Sequence, residues 1–373
     1  MKKSLVALAT LSVVGSAFAD IDVSGGIKMY GVIDQAVTSQ TLTDPSVAAR
    51  STNYTSLFAA AATSRLGFKG TRDLGQGIKG RFQAEIQVEP DNVTMLPAKN
   101  RGTFVGISKE SAGEIILGTQ ETTAYEIFGM DVNGRVEYKP QVWRTTTSSD
   151  TQDRANNSLK YVSPSIGGFT AHAMRGFADT SSTTSTAYTS LGVKFSQDKM
   201  RAALVVDRLT NTAGSFRFAG LVNAGPGKEG ATYTSTALAY SGSTTTAVTR
   251  NIGSISYDFG VASVNYLYAK SYSGGTNAGS LTTNTFGIRV PYENFAFALS
   301  YGAGTIDSYT TAGSGLATAG DSTINDTTFG LYYNLDKSTS FYLLGSTSNL
   351  STGGGYVQAG KNVTTAIGAR YNF

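Results

Sequence analysis

Residue types that could support catalysis are scarce in this chain. It contains one histidine, His172, and no cysteine. A Ser–His–Asp site would have to use His172, but neither Gly-x-Ser-x-Gly nor His-Glu-x-x-His occurs in the sequence. A single imidazole without cysteine also provides no metal cluster. We therefore predict that the protein is not an enzyme and that it holds no cofactor or metal.

Charged residues instead occur on the polar faces of alternating segments. From Ile78 to Glu89, every second residue is apolar and the residues between them, Arg81 among them, are polar. These twelve residues exceed the usual soluble strand of about 5–6 and match the roughly 9–11 tilted residues that cross a bilayer. An apolar face toward lipid and a polar face toward an aqueous lumen fit this pattern. Charges in a narrow aqueous gap would then select which ions and solutes pass.

The last thirteen residues show the same alternation and end on an aromatic residue. Val363, Ile367, Tyr371 and Phe373 fall on one face, whereas polar or small residues fall on the other. A membrane barrel gains from such a strand, because its last strand pairs with its first and presents apolar side chains to lipid. The terminal Phe373 also resembles the sorting signal of bacterial outer-membrane barrels, which implies recognition by the barrel-assembly machinery.

The first nineteen residues have the pattern of a secretory signal peptide. Lys2 and Lys3 precede a short apolar run, and Ala17-Phe18-Ala19 is a small-x-small cleavage site. The alternative, a transmembrane anchor, would need about 20 apolar residues. We expect a signal peptide at residues 1–19 and one mature domain at residues 20–373.

Composition favours one large β-domain. Charged residues are 15% of the chain, against about 25% in typical soluble domains. The 43 Gly, 20 Tyr and 18 Phe suit many strands and tight turns, and no linker or composition shift divides the chain. Without Lys2 and Lys3 the formal charge of +4 falls to about +2, and no basic cluster indicates a nucleic-acid partner.

The connections between strands alternate between short and long, which sets the strand number. The short links are Arg72–Gly77, Ser108–Glu114, Ser163–Gly168, Ser196–Lys199, Tyr257–Val261, Pro291–Phe295 and Tyr333–Thr339. The long polar segments are 37–60, 90–99, 121–153, 179–187, 211–245, 273–280, 306–321 and 349–360. Seven short and eight long connections predict an all-β, 16-stranded antiparallel transmembrane barrel with both termini at the short-turn rim. Within 211–245, Ala231–Ser241 could be a further strand, which would shift the count by two.

Three segments resemble those of Gram-negative general porins of the neisserial and β-proteobacterial type. They are Ser64-Arg65-Leu66-Gly67-Phe68-Lys69-Gly70-Thr71-Arg72-Asp73-Leu74-Gly75, Asn100-Arg101-Gly102-Thr103-Phe104-Val105-Gly106-Ile107-Ser108, and Arg154-Ala155-Asn156-Asn157-Ser158-Leu159-Lys160-Tyr161-Val162-Ser163-Pro164. The resemblance implies a homotrimer of sixteen-stranded barrels in the outer membrane. It also implies that the third loop, here 121–153, folds inward and narrows the pore.

The resemblance also implies candidate residues for the pore constriction. Basic residues on the barrel wall face acidic residues on the infolded loop in this family. The matching wall residues are Arg65, Arg101 and Arg154, and alternation adds Lys69 and Arg81; the acidic loop candidates are Glu121, Glu126, Asp131 and Glu137. Each could instead be a solvated lumenal side chain away from the narrowest point. Where the family usually has a lumenal arginine in Gly-Arg-Gln, this chain has Thr119, so we expect weaker ion selectivity.

The resemblance and the strand pattern together predict a general diffusion porin. It would be a passive, water-filled channel for ions and small hydrophilic solutes, with a weak anion preference. Three alternatives remain open: a substrate-specific channel, a barrel lipid hydrolase that uses His172, and a purely structural or adhesive barrel. Permeability and lipid hydrolysis by the purified protein would separate them.

Overall fold

A computed structural model describes most of the chain. The described residues are 21–44, 50–58, 60–90, 100–126, 154–177, 186–211, 215–218, 238–241, 246–273, 279–308, 322–351 and 360–373. The signal peptide predicted at residues 1–19 lies outside them. In these ranges, none of the helical segments is both long and apolar enough for a membrane span.

Twenty strands account for nearly all of the described residues. They are β1 (Ile21–Ser24), β2 (Ile27–Asp44), β3 (Arg50–Phe58), β4 (Arg65–Gly75), β5 (Ile78–Gln87), β6 (Asn100–Lys109), β7 (Gly113–Glu121), β8 (Arg154–Val162), β9 (Phe169–Gly176) and β10 (Thr186–Gln197). The others are β11 (Met200–Asn211), β12 (Ser215–Phe218), β13 (Leu238–Ser241), β14 (Thr246–Asp258), β15 (Ser263–Ser273), β16 (Gly279–Tyr292), β17 (Phe295–Ser308), β18 (Ser322–Asn334), β19 (Thr339–Ser351) and β20 (Gly360–Asn372).

The strands form a closed antiparallel barrel with sixteen strand positions among the described residues. One edge of β2 pairs with β20, from Val32↔Asn372 to Thr43↔Lys361. Its other edge pairs with β4 near its start and with β3 farther along, so β3 and β4 share one position. The short β1 pairs only with the beginning of β2, and β12 and β13 form a separate two-stranded sheet. The predicted sixteen-stranded barrel is therefore confirmed, and the strand in 211–245 does not change the count.

The last residue takes part in closing the barrel. The backbone N–H of Gly31 donates to the carbonyl of Phe373 at 2.7 Å, and the N–H of Phe373 donates back at 3.0 Å. The ring of Phe373 lies directly over Gly31, where an added Cβ would come within 2.3 Å of the ring. Only glycine leaves room for this approach, so the terminal aromatic is fitted to the first long strand.

Burial follows the alternation of the strands and is reversed relative to a soluble protein. Large apolar side chains on one face are exposed, with Leu204 at 71% and Ile367 at 64%. The opposite face buries polar groups, and Lys160 and Arg250 are each only 1% exposed. Apolar residues thus face the surroundings and charges face the interior, as in a barrel that crosses a membrane.

The seven predicted short turns all join consecutive barrel strands. Gln76, Asp198 and Glu293 adopt positive φ angles in three of them. The prediction of a long loop at 37–60 was wrong, because β2 extends to Asp44 and β3 begins at Arg50. This part of β2 carries Thr and Ser on both faces, which hides the alternation from the sequence.

Candidate pore constriction

The third long connection turns into the barrel as soon as β7 ends. Residues 123–126 form one helical turn. The hydroxyl of Thr122 accepts a bond from the N–H of Tyr125 at 3.2 Å, and the carbonyl of Thr122 accepts one from Glu126 at 3.1 Å. Thr122 and Thr123 are fully buried, so the start of the loop lies against the inner wall. The rest of the loop, 127–153, falls outside the described ranges.

Apolar packing holds this helical turn to the opposite wall. Ala124 belongs to a buried cluster on β11, β14 and β15, whose other members are Ala203, Val205, Ile252, Leu267 and Ala269. The inward position at Gly192 on β10 allows a close approach. A Cβ there would lie 3.0 Å from Thr123 Cγ2 and 2.8 Å from Val205 Cγ2.

Glu126 is held by two lysines from the wall. Lys160 on β8 and Lys194 on β10 both donate to its carboxylate, Lys194 at 3.1 Å. His172 Nδ1 lies 3.8 Å from the same carboxylate. Burial alone would raise the pKa of Glu126, but the two ammonium groups outweigh burial and lower it to about 2. The carboxylate is therefore ionised at neutral pH and ties the loop to β8 and β10.

A second carboxylate, Glu85 on β5, lies between two of the predicted wall arginines. Arg101 Nε donates to Glu85 at 2.8 Å, and Arg65 Nε lies 3.8 Å from it. The hydroxyl of Tyr30 donates to the same carboxylate at 2.9 Å. Arg65 and Arg101 therefore share one counter-charge.

Arg154 connects this group to the start of the third loop, residues 121–126, which we call the loop root. Its Nη2 lies 2.9 Å from Glu121 Oε1, and its Nε donates to the carbonyl of Arg101. Its guanidinium also lies 5.4 Å from the centre of the Tyr125 ring, within the range of a cation–π contact. Three predicted arginines and two predicted loop acids thus lie around one short stretch of the inner wall.

Of the remaining candidates, Lys69 borders this group, Arg81 lies apart from it, and Asp131 and Glu137 fall outside the described ranges. Lys69 Nζ lies 4.8 Å from the centre of the Tyr30 ring. Arg81 forms an ion pair with Glu114 and does not contact the loop root. Asp131 and Glu137 belong to the part of the loop that the structure leaves undescribed.

Sequence analysis did not place four residues in this candidate constriction: Glu85, Lys160, Lys194 and His172. Glu85 lies on the polar face of the strand that the sequence predicts over Ile78–Glu89, so the alternation alone is enough to suggest it. Lys160 follows Leu159 in the third of the segments that resemble porins. Lys194 lies between Val193 and Phe195, but no local signal indicates that Glu126 is its partner.

Comparison with known proteins agrees with this architecture. The family model for Gram-negative porins matches residues 4–350. Outer membrane porin protein 32 of Delftia acidovorans is 34% identical over 179 residues, which cover 46% of this chain and 48% of that protein, about half of each. An outer membrane porin protein of Bordetella pertussis is 24% identical over 420 residues, covering all of both chains.

Solved structures show the same fold. The anion-selective porin from Comamonas acidovorans has a TM-score of 0.70 and 21% identity, and the match covers 93% of this chain and 99% of that one. In-vitro folded OmpT of Vibrio cholerae has a TM-score of 0.66 and 14% identity, covering 96% and 100% of the two chains. Because the family model matches most of the chain, the chain belongs to the Gram-negative porin family and forms a diffusion channel in the outer membrane.

Proposed function

We propose that this channel passes ions and small hydrophilic solutes passively, with a weak preference for anions set around the root of the third loop. The observation that carries this proposal is the charge balance at that root. Among the described residues it comprises five cations and three carboxylates. The cations are Arg65, Arg101, Arg154, Lys160 and Lys194, and the carboxylates are Glu85, Glu121 and Glu126.

The preference is expected to be weak because every carboxylate in this group already pairs with a cation. Glu126 pairs with two lysines, and Glu85 with two arginines. Only the excess positive charge remains to attract anions, and salt in the lumen screens it over about 8–10 Å. The Thr119 position, which carries no charge, removes a further positive contribution.

Farther along the inner wall, a buried ion pair adds no net charge. Arg250 Nε donates to Asp207 at 2.8 Å, and Tyr188 donates to the same carboxylate at 3.1 Å. The pair is almost fully buried, so we assign it a structural role. The anion-selective porin from Comamonas acidovorans, which has the same fold, supports the sign of the proposed preference.

The reversal potential of single channels tests the proposal. Purified protein would be reconstituted in a planar bilayer under a tenfold KCl gradient. We expect a reversal potential of the sign that chloride permeation gives, well below the limit for a perfectly selective channel. A cation-type reversal potential would show that the loop acids, and not the wall, set the field. Conductance that saturates with one solute would instead support a substrate-specific channel.

We also propose that the mature chain, residues 20–373, assembles as a homotrimer after removal of residues 1–19. A trimer form of OmpT from Vibrio cholerae has the same fold, which supports an oligomer. Unheated protein in mild detergent should have the mass of three chains by light scattering. A monomeric mass in samples that still conduct would contradict the trimer.

A further inference from the structure

The outer face of the barrel carries a group of basic residues near the long-loop rim. Arg175 is next to the last residue of β9, Arg208 lies near the end of β11, and Lys270 lies near the end of β15. The arginines are exposed and Lys270 is partly exposed, whereas their neighbours along the strands, such as Met174 and Asp207, are buried. The alternation therefore directs all three cations away from the lumen.

Strand register brings the two arginines into one row. Thr189 on β10 pairs with Arg175 on one side and with Arg208 on the other. Neighbouring strands are about 4.8 Å apart, so the two arginines are separated by about 10 Å with a threonine between them. The guanidinium of Arg175 donates to the Thr189 hydroxyl. On the adjacent row, Lys270 lies opposite Asn251.

No carboxylate balances these cations on their own face. At the described outward positions of β8, β9, β10, β11, β14 and β15, no residue is Asp or Glu. The carboxylate of Asp207 points to the interior, where it pairs with Arg250. An anion that supplies phosphate oxygens would suit this row, because Arg binds phosphate with two parallel hydrogen bonds.

An apolar groove begins next to this row, on the side toward the middle of the barrel wall. It has a volume of about 590 Å³, a size typical of ligand pockets. Its outward lining includes Tyr161, Leu191, Leu204, Val206 and Tyr268. Gly253 contributes no side chain to the floor, and a Cβ added there would come close to one atom, Leu204 Cδ2 at 3.3 Å, at the end of a flexible side chain.

We propose that this face binds a phosphorylated, acylated lipid of the leaflet at the long-loop rim. The phosphate contacts Arg175 and Arg208, Lys270 adds a third positive charge, and an acyl chain occupies the groove. The order of features along the strands is that of an amphiphile, with the anionic group toward the rim and the chain toward the middle of the membrane. A second protein copy is less suitable as the occupant, because the cations would need carboxylates that the described part of this face does not offer.

Native mass spectrometry of the detergent-solubilised protein tests the proposal. The probe is purified bisphosphorylated lipid A, compared with the same lipid after enzymatic dephosphorylation. We expect a bound adduct with the phosphorylated lipid and at least tenfold weaker binding after dephosphorylation. Inorganic phosphate at millimolar concentration should not displace the lipid, because the groove also holds the chain. Equal binding of both lipids, or displacement by phosphate alone, would overturn the proposal.

Variants separate the two halves of the site. Arg175→Gln together with Arg208→Gln should weaken binding of the phosphorylated lipid at least tenfold and leave the dephosphorylated lipid unaffected. Gly253→Leu fills the groove and should weaken binding of both lipids. Lys361→Gln and Ala369→Leu change outward residues of β20 on another part of the wall and should change neither.

Folding and function are monitored independently of lipid binding. Each variant should retain the heat-modifiable migration of a folded barrel and the wild-type reversal potential, since none of these residues lies at the loop root. If Gly253→Leu does not fold, the arginine pair still decides the proposal. Lipid binding unchanged in the arginine variant would refute it, and a change of oligomeric mass in either variant would show that a second copy occupies this face.

Discussion

Replacing Glu126 by glutamine gives the sharpest prediction about ion selectivity. The change keeps the size of the side chain but removes a carboxylate that contacts Lys160 and Lys194. For an ion that passes about 6 Å away in water, one charge contributes about 0.7 kcal/mol, and a screening length of about 8 Å reduces this to about 0.3 kcal/mol. The effect has opposite signs for chloride and potassium, so their permeability ratio should rise about threefold.

The assay is the reversal potential under a KCl gradient, measured for wild type, Glu126→Gln and a matched control, Glu114→Gln. Glu114 is likewise paired with a basic residue, Arg81, but does not contact the loop root. The control should therefore shift the permeability ratio much less. Equal shifts in both variants, or a shift toward cations in Glu126→Gln, would refute the proposal that Glu126 influences ion selectivity at the loop root.

The pH dependence of ion selectivity provides an independent test of the ion pairs between Glu126 and the two lysines. The folded pKa of Glu126 is lowered to about 2, whereas an unperturbed glutamate has a pKa of about 4.3. A lowered folded-state pKa means that the stabilisation is fully present above about pH 4.3 and is lost as the pH falls toward 2. The difference in selectivity between wild type and Glu126→Gln should thus persist from pH 8 to pH 5 and fall to about half only near pH 2. Convergence of the two proteins at pH 5 would contradict the stated cause of the low pKa.

Three further predictions concern the wall, the last residue and the orientation. Arg65→Glu should shift the reversal potential toward cations more than Lys361→Glu, whose side chain faces outward; equal shifts would remove Arg65 from the selective region. Phe373→Asp should abolish folded barrel in the outer membrane without blocking secretion, and normal heat-modifiable protein would count against the role of this aromatic. Long loops of outer-membrane barrels are extracellular and short turns periplasmic, so on intact cells an impermeant maleimide should label a cysteine at Ser314 but not one at Asp198 until the outer membrane is broken. The reverse pattern would show that the long loops lie on the periplasmic side.

Much of the fold could be predicted because strands and turns of a membrane barrel each have a characteristic local sequence pattern. The terminal strand alternates apolar and polar residues, and Ile367 and Asn362 face opposite sides as that alternation requires. Short turns carry Gly, Asn and Asp, which tolerate the positive φ angles seen at Gly77 and Asp198. Strands cannot be predicted in this way where both of their faces are polar, as in the second half of β2 and in β3, because apolar and polar residues then do not alternate along the sequence.

The candidate constriction was less predictable because its contacts join distant parts of the chain. Glu126 was identified in the loop, but its partners Lys160 and Lys194 are 34 and 68 residues away. The resemblance to porins identified Arg65 and Arg101 as pore-lining residues, but it did not identify Glu85, the carboxylate that both contact. Alternation predicts whether a side chain faces the lumen or the lipid. It does not predict the position of that side chain along the barrel axis or the residue with which it forms an ion pair.

The seam between β2 and β20 also has a consequence for the order in which the molecule forms. The side chains of Gln40 and Asn362 that meet there are separated by 322 positions in the chain. Bringing such distant segments together costs about 3 kcal/mol more loop-closure entropy than closing a hairpin of about ten residues. Consecutive hairpins can form early and independently, whereas this pairing becomes favourable only when both ends of the sheet already exist. We therefore expect the seam to be the last contact made, so that the rate of its formation, and not hairpin formation, limits how quickly a sealed pore appears.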